Sequence, residues 1–166
     1  MIVRYGSIRD IADLIAAELS AGELFAGTHM AWAVGQTTTH EEFEAGIANG
    51  NLWVVEDGGQ AVGYLLAETL DGDFYIDEVA VAGSHQRRGL GRQLIAAAIT
   101  EAAGRGYTAA TLTTDLTLQW NAPYYARLGF VTLDTRGTPP GLAARLASQP
   151  YPERRCAMRL DIATSG

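Results

Sequence analysis

Between residues 86 and 92 the chain reads Gln86-Arg87-Arg88-Gly89-Leu90-Gly91-Arg92, with glycines and guanidinium groups interleaved. From Gly89 an apolar pattern begins: Leu90, Leu94, Ile95, Ala98, Ile99 and Ala102 fall at spacings of three and four, one face of a helix. Gly104 and Gly106 supply its stop. A helix start leaves its first N–H groups without backbone partners, and the macrodipole makes that end attractive to anions. Glycine has no Cβ, so an anion can approach the main chain closely. Arg87, Arg88 and Arg92 add cationic donors at the same point. The combination describes a pocket for a phosphate or pyrophosphate; the other reading of the arginines is a solvated cationic surface. Neither the dinucleotide fingerprint GxGxxG nor the phosphate loop GxxxxGK[ST] is present.

The elements that must hold this turn follow from the flanking patterns. Phe74 to Val81 is rich in β-branched and aromatic residues and reads as a strand. Ala82 to Arg88 is a polar turn, so the unit is strand, glycine-bearing turn, helix. Upstream, Ile2 to Tyr5 reads as a short strand. Ile8, Ile11, Leu14, Ile15 and Leu19 mark a helix ending near Gly22. Residues 23 to 37 carry Phe25, His29, Met30 and Trp32 with no clean period. Thr39 with Glu42 forms a capping box for a helix to about Ala48. Leu52 to Glu56 and Ala61 to Glu68 are strands joined at Asp57-Gly58-Gly59, and Asp71-Gly72-Asp73 turns into the Phe74 strand. Downstream, Tyr107 to Thr114 must return parallel to that strand through a right-handed crossover. A short helix from Ala122 to Leu128, with Pro123 in its first turn, leads to a strand from Phe130 to Leu133. A helix from Gly141 to Ala147 and a strand from Arg154 to Ile162 complete the pattern. The sum is one α/β or α+β domain over residues 1–166, its mixed sheet carrying helices on its faces.

Composition narrows the function. The 166 residues suit a single domain with its own core. A net charge of −7 and a pI of about 4.8 argue against general nucleic-acid binding, which needs a basic face, and suit a cationic amine. The single cysteine, Cys156, excludes an intrachain disulfide and a cysteine-rich metal site; no metal is expected. The first residues, MIVRYGSIRD, show no signal-like apolar region, and no apolar run is long enough to span a bilayer. The expectation is a cytoplasmic protein.

The stretch Gln86-Arg87-Arg88-Gly89-Leu90-Gly91 resembles the [RQ]-x-x-G-x-[GA] acetyl-CoA motif of the GNAT superfamily of N-acetyltransferases, and Asp77-Glu78-Val79-Ala80-Val81 is similar to the strand that leads into it. A second block, Asn121-Ala122-Pro123-Tyr124-Tyr125-Ala126-Arg127-Leu128-Gly129-Phe130, resembles the family's Asn followed by a helix ending Y-x-x-L-G-F. In the commonest version the Asn lies about two turns before the Tyr; here the spacing is shorter, as in a bacterial subgroup. The likeness covers roughly residues 50 to 134 and, at the ends, only the order of elements. It implies a mixed, mostly antiparallel central sheet with helices on both faces and a splayed parallel strand pair, and a small-molecule amine as partner, with room for a homodimer.

The resemblance also assigns roles. Gln86, Arg87, Arg88, Gly89, Leu90, Gly91 and Arg92 would hold the pyrophosphate of acetyl-CoA. Backbone groups of Val79 and Val81 would pair with pantetheine, an N–H near Val79 polarising the thioester carbonyl, and Asn121 would contact the same cofactor. Tyr125 would give a proton to the departing sulfur; its other reading is a core tyrosine beside Phe130. Glu78 is the candidate base, because an alkylammonium must lose a proton before attack; its other reading is an exposed carboxylate or ion-pair partner. Asp77 points to the opposite face by strand alternation. Of the histidines, His85 reads as a solvated turn residue, His40 as a helix-start surface residue and His29 as a neighbour of the acceptor. Trp32 and Phe25 read as core or as an amine pocket, and Cys156 as a buried strand residue. The function expected is transfer of an acetyl group from acetyl-CoA to a primary amine in a ternary complex. The alternatives are a non-catalytic acyl-CoA-binding sensor or partner module, a protein N-terminus or lysine acetyltransferase, and a nucleotide-phosphate binder.

Overall fold

The computed structural model describes residues 1–163. Seven strands, β1 (Ile2–Tyr5), β2 (Leu52–Asp57), β3 (Gln60–Leu70), β4 (Asp73–Val81), β5 (Ala109–Asp115), β6 (Val131–Thr132) and β7 (Arg155–Asp161), form one sheet in the order β1-β2-β3-β4-β5-β7-β6. The helices are α1 (Ile11–Gly22), α2 (His40–Ala48), α3 (Leu90–Gly104), α4 (Ala122–Arg127) and α5 (Pro140–Ala147). The sheet is mostly antiparallel with one parallel pair, β4 and β5, as expected. The described residues divide into two compact units, one of Met1–Ala67 with Glu78–Ala98, the other of Glu68–Asp77 with the residues from Ile99 onward.

In the first unit β1, β2 and β3 pair antiparallel. The β2–β3 hairpin turns at Gly58 and Gly59, both at positive φ (59° and 85°), the conformation that a two-residue turn compatible with strand twist demands. Ile11 and Leu14 of α1 and Phe43 of α2 pack on Leu52, Val54, Tyr64, Leu66 and Ala80. Trp53 and Val55, which alternation turns to the other face, are also buried, so both faces of β2 are covered. The capping box at the start of α2 is present: Glu42 N–H donates to Thr39 Oγ1 (3.1 Å) and Thr39 N–H to Glu42 Oε2 (2.7 Å). Gly63 sits where a Cβ would meet the Ala80 carbonyl oxygen at 2.8 Å, so β3 and β4 approach as only glycine allows. Arg4 ties β1 to its surroundings through bonds to Asp10 (2.8 and 2.9 Å) and Glu56 (2.7 Å).

In the second unit β5 pairs with β7 over its full length, and β7 with β6. Leu142 of α5 packs on Tyr75 and Ala157. Asp71, in the β3–β4 turn, accepts from Gly141 N–H and Leu142 N–H (both 2.8 Å), satisfying donors at the start of α5. Arg145 lies over the Tyr75 ring, 4.9 Å from its centroid, and reaches the carboxylates of Glu68 and Asp77.

The departures from the sequence reading are local. Residues Ile8–Asp10 form a 3₁₀ turn, so α1 begins at Ile11 rather than Ile8: Asp10 accepts from Ser7 N–H (2.8 Å) and Arg4, and closes that turn first. Residues 23–37 form two 3₁₀ turns, Glu23–Phe25 and Ala31–Ala33, and Met30 between them is the one buried apolar side chain of the segment. The strand expected from Phe130 contracts to Val131–Thr132, because Phe130 N–H bonds to Tyr125 O (3.1 Å) and still belongs to the end of α4.

Candidate active site

The pairing of β4 with β5 extends over Phe74–Ala110 and Tyr75–Thr111. β4 continues to Val81 and β5 to Asp115. Val79 and Val81 lie near the end of β4, and both are half-buried.

Beyond Val81 the chain enters a 3₁₀ turn, Gly83–His85, and then the glycine turn. Arg87 and Gly89 take positive φ (62° and 75°). For Gly89 that is costless; for Arg87 it is strained, costing on the order of 1–3 kcal/mol. The first helical bond of α3 runs from Gln93 N–H to Gly89 O (3.1 Å), so the N–H groups of Leu90, Gly91 and Arg92 precede the ladder. Leu90 is buried and anchors the helix start; Arg87, Arg88, Gly89 and Arg92 are exposed. A Cβ at Gly89 would meet nothing within 4 Å, which leaves the approach to this backbone open. Gln86 behaves otherwise: its Nε2 donates to Val81 O (3.1 Å), so the side chain braces the turn against the strand that precedes it.

Glu78 lies half-buried on β4, near the hydroxyl of Tyr64, a fully buried residue of β3. Burial, then the charges of Glu78 and Glu18, holds the Tyr64 hydroxyl well above the usual tyrosine range, so it stays protonated. That hydroxyl bonds Thr38 Oγ1 (2.8 Å), while Thr38 N–H donates to Glu18 Oε2 (2.7 Å). Burial pushes the Glu18 carboxyl up, with the bonds from Tyr64 and Thr38 pulling against it. Sequence reasoning missed Glu18, Thr38 and Tyr64; nothing in their spacing announces a cluster built from α1, the segment before α2, and β3. Asp77, one residue before Glu78, ion-pairs with Arg145 (3.5 Å).

In the second unit Asn121 precedes α4, and its side chain turns away from the helix: Nδ2 donates to Thr114 Oγ1 of β5 (2.9 Å). Its Oδ1 is buried and accepts no hydrogen bond among the described residues. Tyr125, half-buried, packs edge-on against Phe130 (5.8 Å between centroids) and Tyr124 (5.3 Å). Its carbonyl accepts from Leu128 N–H and Phe130 N–H (3.0 and 3.1 Å) across Gly129, at φ 101°, which ends the helix. Cys156 is buried, and burial raises its thiol above the usual range. His29 is half-buried beside the buried Met30, and His40 pairs with Glu44 (2.9 Å) on the surface of α2. Among the described residues no three His, Cys, Asp or Glu converge on a metal position, and no helix is long and apolar enough to cross a membrane.

The β4 strand, glycine turn and α3 helix, in a mostly antiparallel sheet with one parallel pair, make this a mixed α/β protein. Residues 17–130 match the model of the acetyltransferase (GNAT) family, more than half of the chain, and the chain belongs to that family. It is thereby an acyltransferase that uses acetyl-CoA. Solved structures share the fold. The PaiA N-acetyltransferase of Thermoplasma acidophilum, crystallised with coenzyme A, superposes with a TM-score of 0.74 at 14% identity, over 96% of this chain and 98% of that one. The ribosomal-protein-S18-alanine N-acetyltransferase of Escherichia coli gives 0.70 at 18%, over 99% and 96%. An aminoglycoside 6′-acetyltransferase of type Ii gives 0.67 at 17%, over 100% of both chains.

Proposed function

We propose that this chain, as one catalytic domain, moves an acetyl group from acetyl-CoA to the primary amine of a small molecule by direct transfer. The observation that carries the reading is the Gln86–Gly91 turn: backbone N–H groups ahead of the helical ladder, an open approach at Gly89, and three exposed arginines beside them. These are the donors a pyrophosphate requires. Two further features fit the rest of CoA. The half-buried β4 backbone at Val79 and Val81, which leads into that turn, would pair with the amides of pantetheine as a strand does. The buried Asn121 Oδ1 is an acceptor in want of an N–H donor, which pantetheine also supplies.

In this mechanism the amine nitrogen attacks the thioester carbonyl carbon, a C–N bond forms and the C–S bond breaks. An N–H at Val79 stabilises the developing oxyanion, a contribution of about 3 kcal/mol for one well-placed donor. Glu78 takes the proton the ammonium must shed, directly or through water. Tyr125, protonated at neutral pH, returns a proton to the departing thiolate. The neighbours named above act on a ribosomal protein's alanine and on an aminoglycoside, so the fold alone does not choose an acceptor. The net charge of −7 favours cationic small amines. A protein N-terminus or lysine acceptor is the second reading, and the S18-alanine enzyme is what supports it.

Calorimetric titration of acetyl-CoA, CoA and ATP, with Gly89→Glu as control, is the first test. Acetyl-CoA binding that the variant loses, with ATP inert, supports the reading and opens a panel of small amines and peptides followed by thiol release. No acetyl-CoA binding by the folded protein sinks it. Because the sequence contains no lysine, acetylation of an added peptide's lysine cannot be confused with side-chain self-acetylation.

A further inference from the structure

We propose that His85 is a positioning residue for the pyrophosphate turn, locking its entrance to the β2–β3 hairpin through Asp57; the proposal rests on the CoA reading above. Both ring nitrogens are engaged. Nε2 lies 2.9 Å from Asp57 Oδ2 and Nδ1 lies 2.7 Å from Ser84 Oγ. In the neutral ring Nε2–H donates to the carboxylate and Nδ1 accepts from the serine hydroxyl, which leaves the imidazole one orientation. The side chain is only 19% exposed although Gly83, Ser84 and Arg87 face solvent.

His85 is one of three anchors in four residues. Gly83 N–H donates to Ser20 Oγ of α1 (2.8 Å), His85 reaches Asp57 at the end of β2, and Gln86 Nε2 donates to Val81 O of β4 (3.1 Å). Their partners come from three different elements, so the segment is held in all directions before the glycine turn begins. The residue that follows, Arg87, stands at φ 62°. A non-glycine residue keeps such a conformation only where its surroundings over-determine it. The anchors at 83, 85 and 86 are what over-determine it here. By fixing the left-handed step at Arg87 and Gly89 in the ligand-free chain, they hold the N–H groups of the turn in place, so that ordering them is not charged against CoA binding. Of the three, His85 alone anchors to a carboxylate, supplied 28 residues upstream.

The test is calorimetric titration of CoA into the wild-type chain, His85→Ala, His85→Gln and Asp57→Asn, with thermal unfolding of each ligand-free protein. His85→Ala should weaken CoA about tenfold, as for one hydrogen bond to a charged group, while the ligand-free midpoint stays within a few degrees. His85→Gln, whose amide nitrogen can replace Nε2–H toward Asp57, should recover most of the affinity, a rescue that a general packing defect would not show. Asp57→Asn combined with His85→Ala should cost little beyond the single change. If His85→Ala does not fold, Ser84→Ala and Asp57→Ala each remove one partner of the ring and carry the same comparison. Equal CoA affinity in the wild type and in folded His85→Ala overturns the clamp, as does a loss that glutamine fails to restore. A wild-type chain that binds no CoA is a different failure: it overturns the functional reading and the clamp with it, before any variant is compared.

Discussion

The side chain of Gln86 donates to the carbonyl oxygen of Val81, 3.1 Å away, so the first residue of the phosphate motif faces its own strand. That bond braces the turn, and in the proposed function phosphate recognition is left to the backbone and the arginines that follow. Gln86→Leu should therefore weaken CoA binding about tenfold through disorder of the turn. Gln86→Glu should weaken it further, because a carboxylate would oppose both the Val81 carbonyl and the incoming anion. If Gln86→Leu binds CoA as the wild type does, the brace is dispensable.

Arg87 carries both a charge and a strained φ of 62°. Arg87→Gly should raise the stability of the ligand-free protein by about 1 kcal/mol, since glycine takes that conformation freely. The same change should weaken CoA binding, with the loss shrinking as salt rises. Thermal unfolding and calorimetry at two salt concentrations would read both; stability and affinity falling together would mean the arginine is held by contacts of its own.

Glu78→Gln separates a base from a structural carboxylate. An alkylamine acceptor carries its proton until about pH 10.4. The variant should lose about 100-fold in kcat/KM at pH 7, and the loss should narrow toward pH 10 as free amine replaces ammonium. A loss equal at every pH would remove Glu78 from proton transfer.

Tyr125→Phe keeps the ring edges against Phe130 and Tyr124 and removes only the hydroxyl. Turnover should fall on the order of 100-fold, with CoA affinity and thermal midpoint nearly unchanged. Unchanged turnover would assign Tyr125 to packing alone.

Asp10 gives the fold a defined acid response. The Arg4 guanidinium bonded to its carboxylate, against the opposing effect of burial and with help from Ser7, lowers the carboxyl from 3.8 to about 2. A depressed carboxylate contributes stability that is present above the unfolded value and lost as pH falls toward the folded one. Between pH 4 and pH 2 the wild type should lose on the order of 1–2 kcal/mol that Asp10→Asn lacks from the outset. Denaturant unfolding of both proteins across that window measures it; parallel curves would mean the pair contributes nothing net.

Local patterns carried most of the fold and the turn on which the proposed site rests. The capping box at Thr39 and Glu42, the Asp57-Gly58-Gly59 hairpin and the Gln86–Gly91 turn are each written in residues a few positions apart, where side-chain size, φ preference and hydrogen-bonding groups act on their own backbone. The parallel return of β5 was legible for a similar reason, because the helix between two strands leaves little choice of direction. What only the tertiary structure decided are the contacts between residues far apart in the chain. His85 reads as a solvated turn residue until Asp57 is placed beside it. Glu18, Thr38 and Tyr64 carry no joint signal until α1, the segment before α2, and β3 meet. Short-range preferences depend on the identity of neighbours in the chain, whereas a hydrogen bond across 28 or 63 residues depends on the placement of whole elements, which no single spacing encodes.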